Sequence, residues 1–255
     1  MTPAASDPAG SDKEVMMVSH AGSCLFCALD TNDLETALSF ARQLRGAVGG
    51  LKLGLEFFVA NGPEGIRKVT AAGGLPLFLD LKFHDIPNTA AGAVRSAVAL
   101  EPTFLTIHTR GGAAMMKAAA ETAHSEAERL GIARPRLLGV TVLTSLTDRE
   151  LHSVGQETPV AEQVQRLAAL AQEAGLDGVV CSPHEIAAVR AQSGADFTIM
   201  VPGIRPATAL LGDQKRVMTP AQARAAGADY LVIGRPITQE KDPAAAARKI
   251  AAELR

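Results

Sequence analysis

A chain of 255 residues, 47% apolar and 20% charged, has the length for one large core or two small ones and the composition of a soluble globular protein. Its formal net charge of −2 argues against nucleic acid or an anionic membrane as a partner. No apolar run approaches the roughly 20 residues that span a bilayer, so the expected location is the cytoplasm.

In chain order, residues 1–22 are rich in Ala, Pro, Ser, Asp and Gly and lack the apolar centre of a signal peptide. They read as a disordered lead-in, leaving 23–255 as one folded domain. A unit then repeats: a short β-prone apolar run, a chemically marked residue, an Ala-rich amphipathic stretch. Strands are predicted over 25–30, 50–53, 75–82, 104–108, 137–143, 178–181, 197–201 and 229–233. Helices are predicted over 31–45, 55–60 with 63–72, 89–100, 112–130, 159–174, 183–191, 219–226 and 243–254. Thr31 or Asn32 is suited to cap the first helix. Cys24, Cys27 and Cys181 are an odd number with no second pair for a zinc site, and they read as buried thiols.

Alternation of strands with helices demands parallel pairing, and eight such units without a break in composition predict a single (β/α)8 barrel of the α/β class. An open doubly wound sheet fits less well, because no G-x-G-x-x-G turn follows the first strand. Asp30, Lys52, Asp80, Lys82, His108, Thr144, Ser182, Pro202 and Arg235 all fall at or just beyond the C-terminal ends of their strands. In a barrel that is the active-site face. Lys52, a charge inside the apolar run Gly50-Leu51-Lys52-Leu53-Gly54, needs a carboxylate partner, and Asp80 on the next strand is the nearest candidate. Gly234 lets backbone approach an anion, and Arg235 offers a planar fork of donors, as a phosphate site after the last strand requires. The long stretch 203–215 between the seventh strand and its helix reads as a lid.

The densest chemistry lies in Leu79-Asp80-Leu81-Lys82-Phe83-His84-Asp85-Ile86-Pro87-Asn88-Thr89. Residues two apart on a strand share a face, so Asp80 and Lys82 project together. A lone D-x-K would be an incidental ion pair at a strand end, but these charges interrupt a run otherwise fit for burial. The string D-L-K-F-H-D-I-P-N-T resembles the active-site signature of the orotidine 5′-phosphate decarboxylases. The elements P-G-I-R-P and D-Q-x-R extend that resemblance from about residue 25 to the C-terminus.

The resemblance implies decarboxylation of orotidine 5′-monophosphate to UMP, without cofactor or metal. It implies Lys82, Asp80, Lys52 and Asp85 as the catalytic set, with Lys82 protonating the C6 carbanion and Asp80 facing the substrate carboxylate. Asp30 and Lys52 would meet the ribose, Thr144 the pyrimidine edge, and Gln214 and Arg235 the phosphate. Ile86, Pro202 and Gly234 complete the implied substrate contacts. It further implies a homodimer in which Asp85 and Thr89 enter the neighbour's site. His84 and His108 are left with structural or supporting roles, since the Lys82 ammonium already supplies a proton. Two rivals stand beside this reading. Magnesium-dependent sugar-phosphate decarboxylases and aldolases of the same suprafamily share D-x-K-x-x-D, but not the F-H-D-I-P-N-T continuation or the D-Q-x-R close. A non-catalytic nucleotide-binding barrel would be expected to have lost a lysine or aspartate.

Overall fold

The computed structural model describes residues 22–206 and 218–254. After a 3-10 turn, Gly22–Cys24, eight strands follow one another: β1 Leu25–Leu29, β2 Gly50–Gly54, β3 Leu77–Phe83, β4 Phe104–His108, β5 Arg136–Val140, β6 Gly178–Val180, β7 Thr198–Pro202 and β8 Tyr230–Ile233. Each pairs in parallel with the next, and β8 returns to β1, so the sheet is a closed barrel. Ten helices are described: α1 Leu34–Gln43, α2 Leu55–Gly73, α3 Pro87–Val98, α4 Gly112–Leu130, α5 Asp148–Ser153, α6 Val160–Glu173, α7 Ile186–Ser193, α8 Pro220–Ala225, α9 Arg235–Thr238 and α10 Pro243–Ala252. The expected eight-fold barrel is the fold.

The strands carry two apolar faces. One set, including Leu25, Leu51, Leu79, Leu105, Leu137, Val179, Ile199 and Leu231, packs outward against the helices in one continuous core. The other set fills the barrel, with Phe26, Phe78, Phe104, Leu138, Met200 and Val232 at its centre and Tyr230 against them. Phe26, Phe78, Phe104 and Tyr230 meet edge to face, with ring centroids 4.9 to 6.3 Å apart, the arrangement that ring quadrupoles favour. Gly50 follows from that crowding: a Cβ there would stand 2.2 Å from the Phe26 ring. This aromatic layer is a floor. The inward positions that follow along β2, β3 and β4 are Lys52, Asp80 and Thr106, so the polar residues stand on an apolar base.

Where the elements differ from expectation, local hydrogen bonding gives the reason. The cap of α1 is Asp33, whose Oδ2 accepts from the Thr36 backbone N–H at 2.7 Å, while Thr31 accepts from the Asp33 N–H. The two predicted segments after β2 run as one helix kinked at Gly62, which takes φ 61° ahead of Pro63. β5 stops at Val140, not 143, because Thr141 turns its hydroxyl onto the Val180 carbonyl at 2.8 Å. Thr144 therefore sits in a loop. α5 and α9 were not expected; α5 opens with a capping box in which Thr147 and Glu150 bond reciprocally. α3 begins at Pro87 rather than Thr89, placing Thr89 in its first turn. At the barrel's other end, Asp177 and Asp229, just ahead of β6 and β8, accept from the backbone N–H of Leu137 and Ile199 at 2.8 and 2.7 Å. The lead-in assigned to 1–22 lies outside the described residues apart from Gly22. Among the described residues no helix is long and apolar enough to cross a membrane.

Candidate active site

The C-terminal mouth of the barrel opens into a cavity of about 570 Å³. Asp30, Lys52, Asp80, Lys82, Thr144, Pro202, Gly234 and Arg235, eight of the residues singled out from the sequence, line it together. They come from the ends of six different strands or the loops that follow. Eight short parallel strands of similar length deliver their last residues to one rim, which is why a scattered set of positions converges.

Charges dominate one side of this cavity. Nζ of Lys82 lies 2.7 Å from Oδ2 of Asp80, and Nζ of Lys52 lies 3.6 Å from that oxygen and 3.3 Å from Oδ1 of Asp30. Four groups thus alternate in sign, Asp30–Lys52–Asp80–Lys82. Asp80 is 8% exposed as a residue. Burial alone would raise its carboxyl, but the charges of Lys52 and Lys82, with hydrogen bonds from Lys82 and Thr106, outweigh it and hold the group below the usual carboxylate range. A carboxylate so held stays ionised.

The backbone under this array is irregular. Leu79 of β3 pairs with Leu105 of β4, but the next pairing is Phe83 with Ile107. Asp80, Leu81 and Lys82 therefore stand opposite Thr106 alone, a bulge of the kind that re-aims side chains beside active sites. Lys82 takes φ 51°, a left-handed conformation that costs a residue with a Cβ about 1–2 kcal/mol. Its N–H is satisfied by Oγ1 of Thr106 at 2.9 Å, and the same hydroxyl donates to Oδ1 of Asp80 at 3.0 Å. Thr106 is fully buried. It was not among the residues chosen from the sequence, although its place two residues before His108 on β4 marks it as inward-facing.

The opposite wall is assembled from β5 to β8. Val140 and Val142 give it an apolar stretch beside Thr144. Pro202, Gly203, Ile204 and Arg205 follow β7, and Gly234, Arg235 and Pro236 follow β8. A Cβ added to Gly234 would lie 3.4 Å from Ala28 and 3.6 Å from Asp30, so backbone forms the wall there. Arg205, which the sequence reading passed over inside P-G-I-R-P, also lines the cavity, and its N–H bonds the Met218 carbonyl at 3.2 Å. That bond joins the described residues on either side of 207–217. Gln214, with residues 207–217, lies outside the described residues.

Asp85, Ile86 and Thr89 do not line the chain's own cavity. All three are exposed just past β3, and Asp85 accepts from the Ile86 N–H at 2.7 Å. His84 and His108 lie ring beside ring, 5.4 Å between centroids, and neither lines the cavity. Nδ1 of His108 is buried with no hydrogen-bond partner among the described residues. Burial first, then the neighbouring His84, Arg110 and Lys82, push the His108 imidazole down to about 4. Cys27 and Cys181 are buried in the core, and burial pushes the Cys27 thiol up to about 12. Among the described residues no group of three or more His, Cys, Asp or Glu side chains is arranged to hold a metal ion.

Residues 23–250 match the family model described as orotidine 5′-phosphate decarboxylase / HUMPS family. Curated relatives named orotidine 5′-phosphate decarboxylase include those of Paramagnetospirillum magneticum and Rhodospirillum rubrum. Both are 56% identical over 230 residues, covering 90% of this chain and 97% and 93% of the relatives. The crystal structure of orotidine 5′-phosphate decarboxylase from Lactobacillus acidophilus superposes with a TM-score of 0.80 at 37% identity, covering 90% of this chain and 98% of that one.

Proposed function

This chain belongs to the orotidine 5′-phosphate decarboxylase / HUMPS family, and from that premise we infer that it decarboxylates orotidine 5′-monophosphate to UMP, a carboxy-lyase of pyrimidine nucleotide synthesis. The observation that carries the reading is the convergence of the Lys52 and Lys82 ammoniums on one oxygen of Asp80 above an apolar floor.

The chemistry asks for such an arrangement. When the bond from C6 to the carboxylate breaks, carbon dioxide leaves and the electron pair stays on C6, where the pyrimidine ring offers no ordinary sink. Fixed charges placed before the reaction can stabilise that pair without reorganising, and they act strongly where water is scarce. In this reading Lys82 faces C6, steadies the carbanion and gives it a proton from Nζ, then recovers one from solvent. Asp80 presses on the substrate carboxylate. Asp30 and Lys52 hold the ribose, Thr144 the pyrimidine edge, Ile86, Pro202 and Gly234 the remaining substrate surface, and Arg235 with Gln214 the phosphate. Binding energy from that remote phosphate is available to order the charged array. Neither a metal nor an organic cofactor enters these steps.

We further propose that the active unit is a homodimer in the cytoplasm, with Asp85 and Thr89 of each protomer serving the neighbour's site. Support comes from the exposure of Asp85, Ile86 and Thr89 at the rim and outside their own cavity, with Ile86 an exposed apolar side chain beside them. The test of the activity is the loss of orotidylate absorbance on adding the purified chain, with and without exhaustive chelation. Turnover that survives chelation is expected. No turnover sinks the reading, and loss restored by Mg²⁺ would direct attention to open-chain sugar phosphates.

A further inference from the structure

Opposite the three bulged residues of β3, β4 offers one side chain, and that side chain binds to both ends of the bulge. Oγ1 of Thr106 accepts the Lys82 N–H at 2.9 Å and donates to Oδ1 of Asp80 at 3.0 Å. The register shift between Leu79 and Phe83 removes the regular ladder between β3 and β4 at Lys82, so its N–H has no β4 carbonyl set against it by the pairing. The hydroxyl accepts that N–H and leaves Lys82 in its left-handed conformation with a satisfied donor. The same hydroxyl occupies Oδ1 of Asp80, so the carboxylate's other oxygen, Oδ2, is the one turned to the two ammoniums.

We propose that Thr106 is a positioning residue of the decarboxylation. Its one hydroxyl fixes at once the backbone that carries the Lys82 ammonium and the rotation of the Asp80 carboxylate. This role rests on the reaction proposed above. A methyl in place of the hydroxyl would leave the Lys82 N–H and Asp80 Oδ1 without their partner in a fully buried position. The bulge would then relax toward regular pairing, carrying the ammonium with it. Displacements of about 1 Å in a reacting group cost on the order of 10²-fold in rate.

The experiment compares Thr106→Val, which keeps shape and removes the hydroxyl, with Thr106→Ser, which keeps the hydroxyl. The expected result for Thr106→Val is a fall in kcat of about 10²-fold, on the scale of a misplaced reacting group. Inhibition by UMP should stay within about threefold of wild type, because the phosphate and ribose grips are untouched. The acidic limb of its kcat/KM profile should move to higher pH, since a donor to the ionised Asp80 is gone. Thr106→Ser should keep kcat within about tenfold of wild type, the hydroxyl pair being retained. The proposal is overturned if Thr106→Val retains a third of wild-type kcat, if Thr106→Ser is as impaired as Thr106→Val, or if KM alone changes. Should Thr106→Val fail to melt cooperatively, Thr106→Ala takes its place, and equal activities of the Ser and Ala variants overturn the role. A wild-type chain that leaves orotidylate intact overturns the reaction and with it the role, whereas wild-type turnover with an unaffected Thr106→Val overturns the role alone.

Discussion

Lys52 holds its ammonium 3.6 Å from Oδ2 of Asp80, the oxygen that Lys82 already occupies at 2.7 Å. Two cations on one oxygen repel each other, and the carboxylates of Asp80 and Asp30 offset that repulsion from either side of Lys52. Removing one member therefore disturbs the rest. Lys82→Ala should lower kcat for orotidylate by about 10³-fold or more, the scale of losing a group that meets developing charge, while leaving UMP binding measurable. A variant that keeps a tenth of wild-type kcat would show that the proton comes from elsewhere.

Arg235 stands after β8, on the side of the mouth away from Lys82, and is expected to act through remote binding energy. Arg235→Ala should reduce kcat/KM steeply for orotidylate and hardly at all for orotidine, the nucleoside without phosphate. Steady-state kinetics on both substrates decides. Equal losses on the two would assign Arg235 to the fold.

The dimer can be tested by mixing lesions. Lys52→Ala and Asp85→Asn should each be nearly inactive alone. If Asp85 serves the neighbour's site, a mixed dimer has one site with both lesions and one with neither. Random association makes half of the dimers mixed, so unfolding, mixing and refolding equal amounts should restore about a quarter of wild-type activity. No recovery from confirmed dimers means that each site takes both residues from one chain.

His108 gives a prediction for stability rather than rate. In the folded chain its imidazole is pushed down to about 4, while the unfolded chain takes up a proton near the ordinary 6.5. Between those values the unfolded state binds more protons, so stability falls as the pH drops from 6.5 toward 4. Thermal melts at pH 7 and pH 5 should show a smaller loss for His108→Gln than for wild type. An unchanged pH dependence would mean that His108 takes up its proton equally in the folded and unfolded states.

Much of this molecule was legible in its sequence because strand ends are chemically conspicuous. Asp30, Lys52, Asp80 and Lys82 interrupt or close apolar runs, and a closed parallel barrel carries all four to one rim. What escaped was set by hydrogen bonds between strands rather than along one. The bulge at Lys82 carries no glycine or asparagine to announce a positive φ, and alternation alone put Asp80 and Lys82 on a regular strand. Thr106 looks like an ordinary β-branched filler until the register shift leaves it alone opposite three residues. Asp33 displaced Thr31 and Asn32 as the cap of α1 because its carboxylate reaches the Thr36 N–H, a choice among neighbours that propensity does not rank. The Thr147–Glu150 box was readable as T-x-x-E, and with it α5 could have been expected.

The pairing of β1 with β8 has a consequence for how the protein comes into being. Asp30 follows the first strand to be synthesised, and Gly234 and Arg235 follow the last, yet the closed ring sets them side by side around one cavity. A ribosome making the chain therefore releases nothing that can hold the whole substrate until some two hundred residues separating these positions have emerged and the ring has shut. Partial products, whether nascent or truncated before β8, would keep the lysine–aspartate array within reach but lack the wall behind it. Closure of the ring and completion of the site become one event.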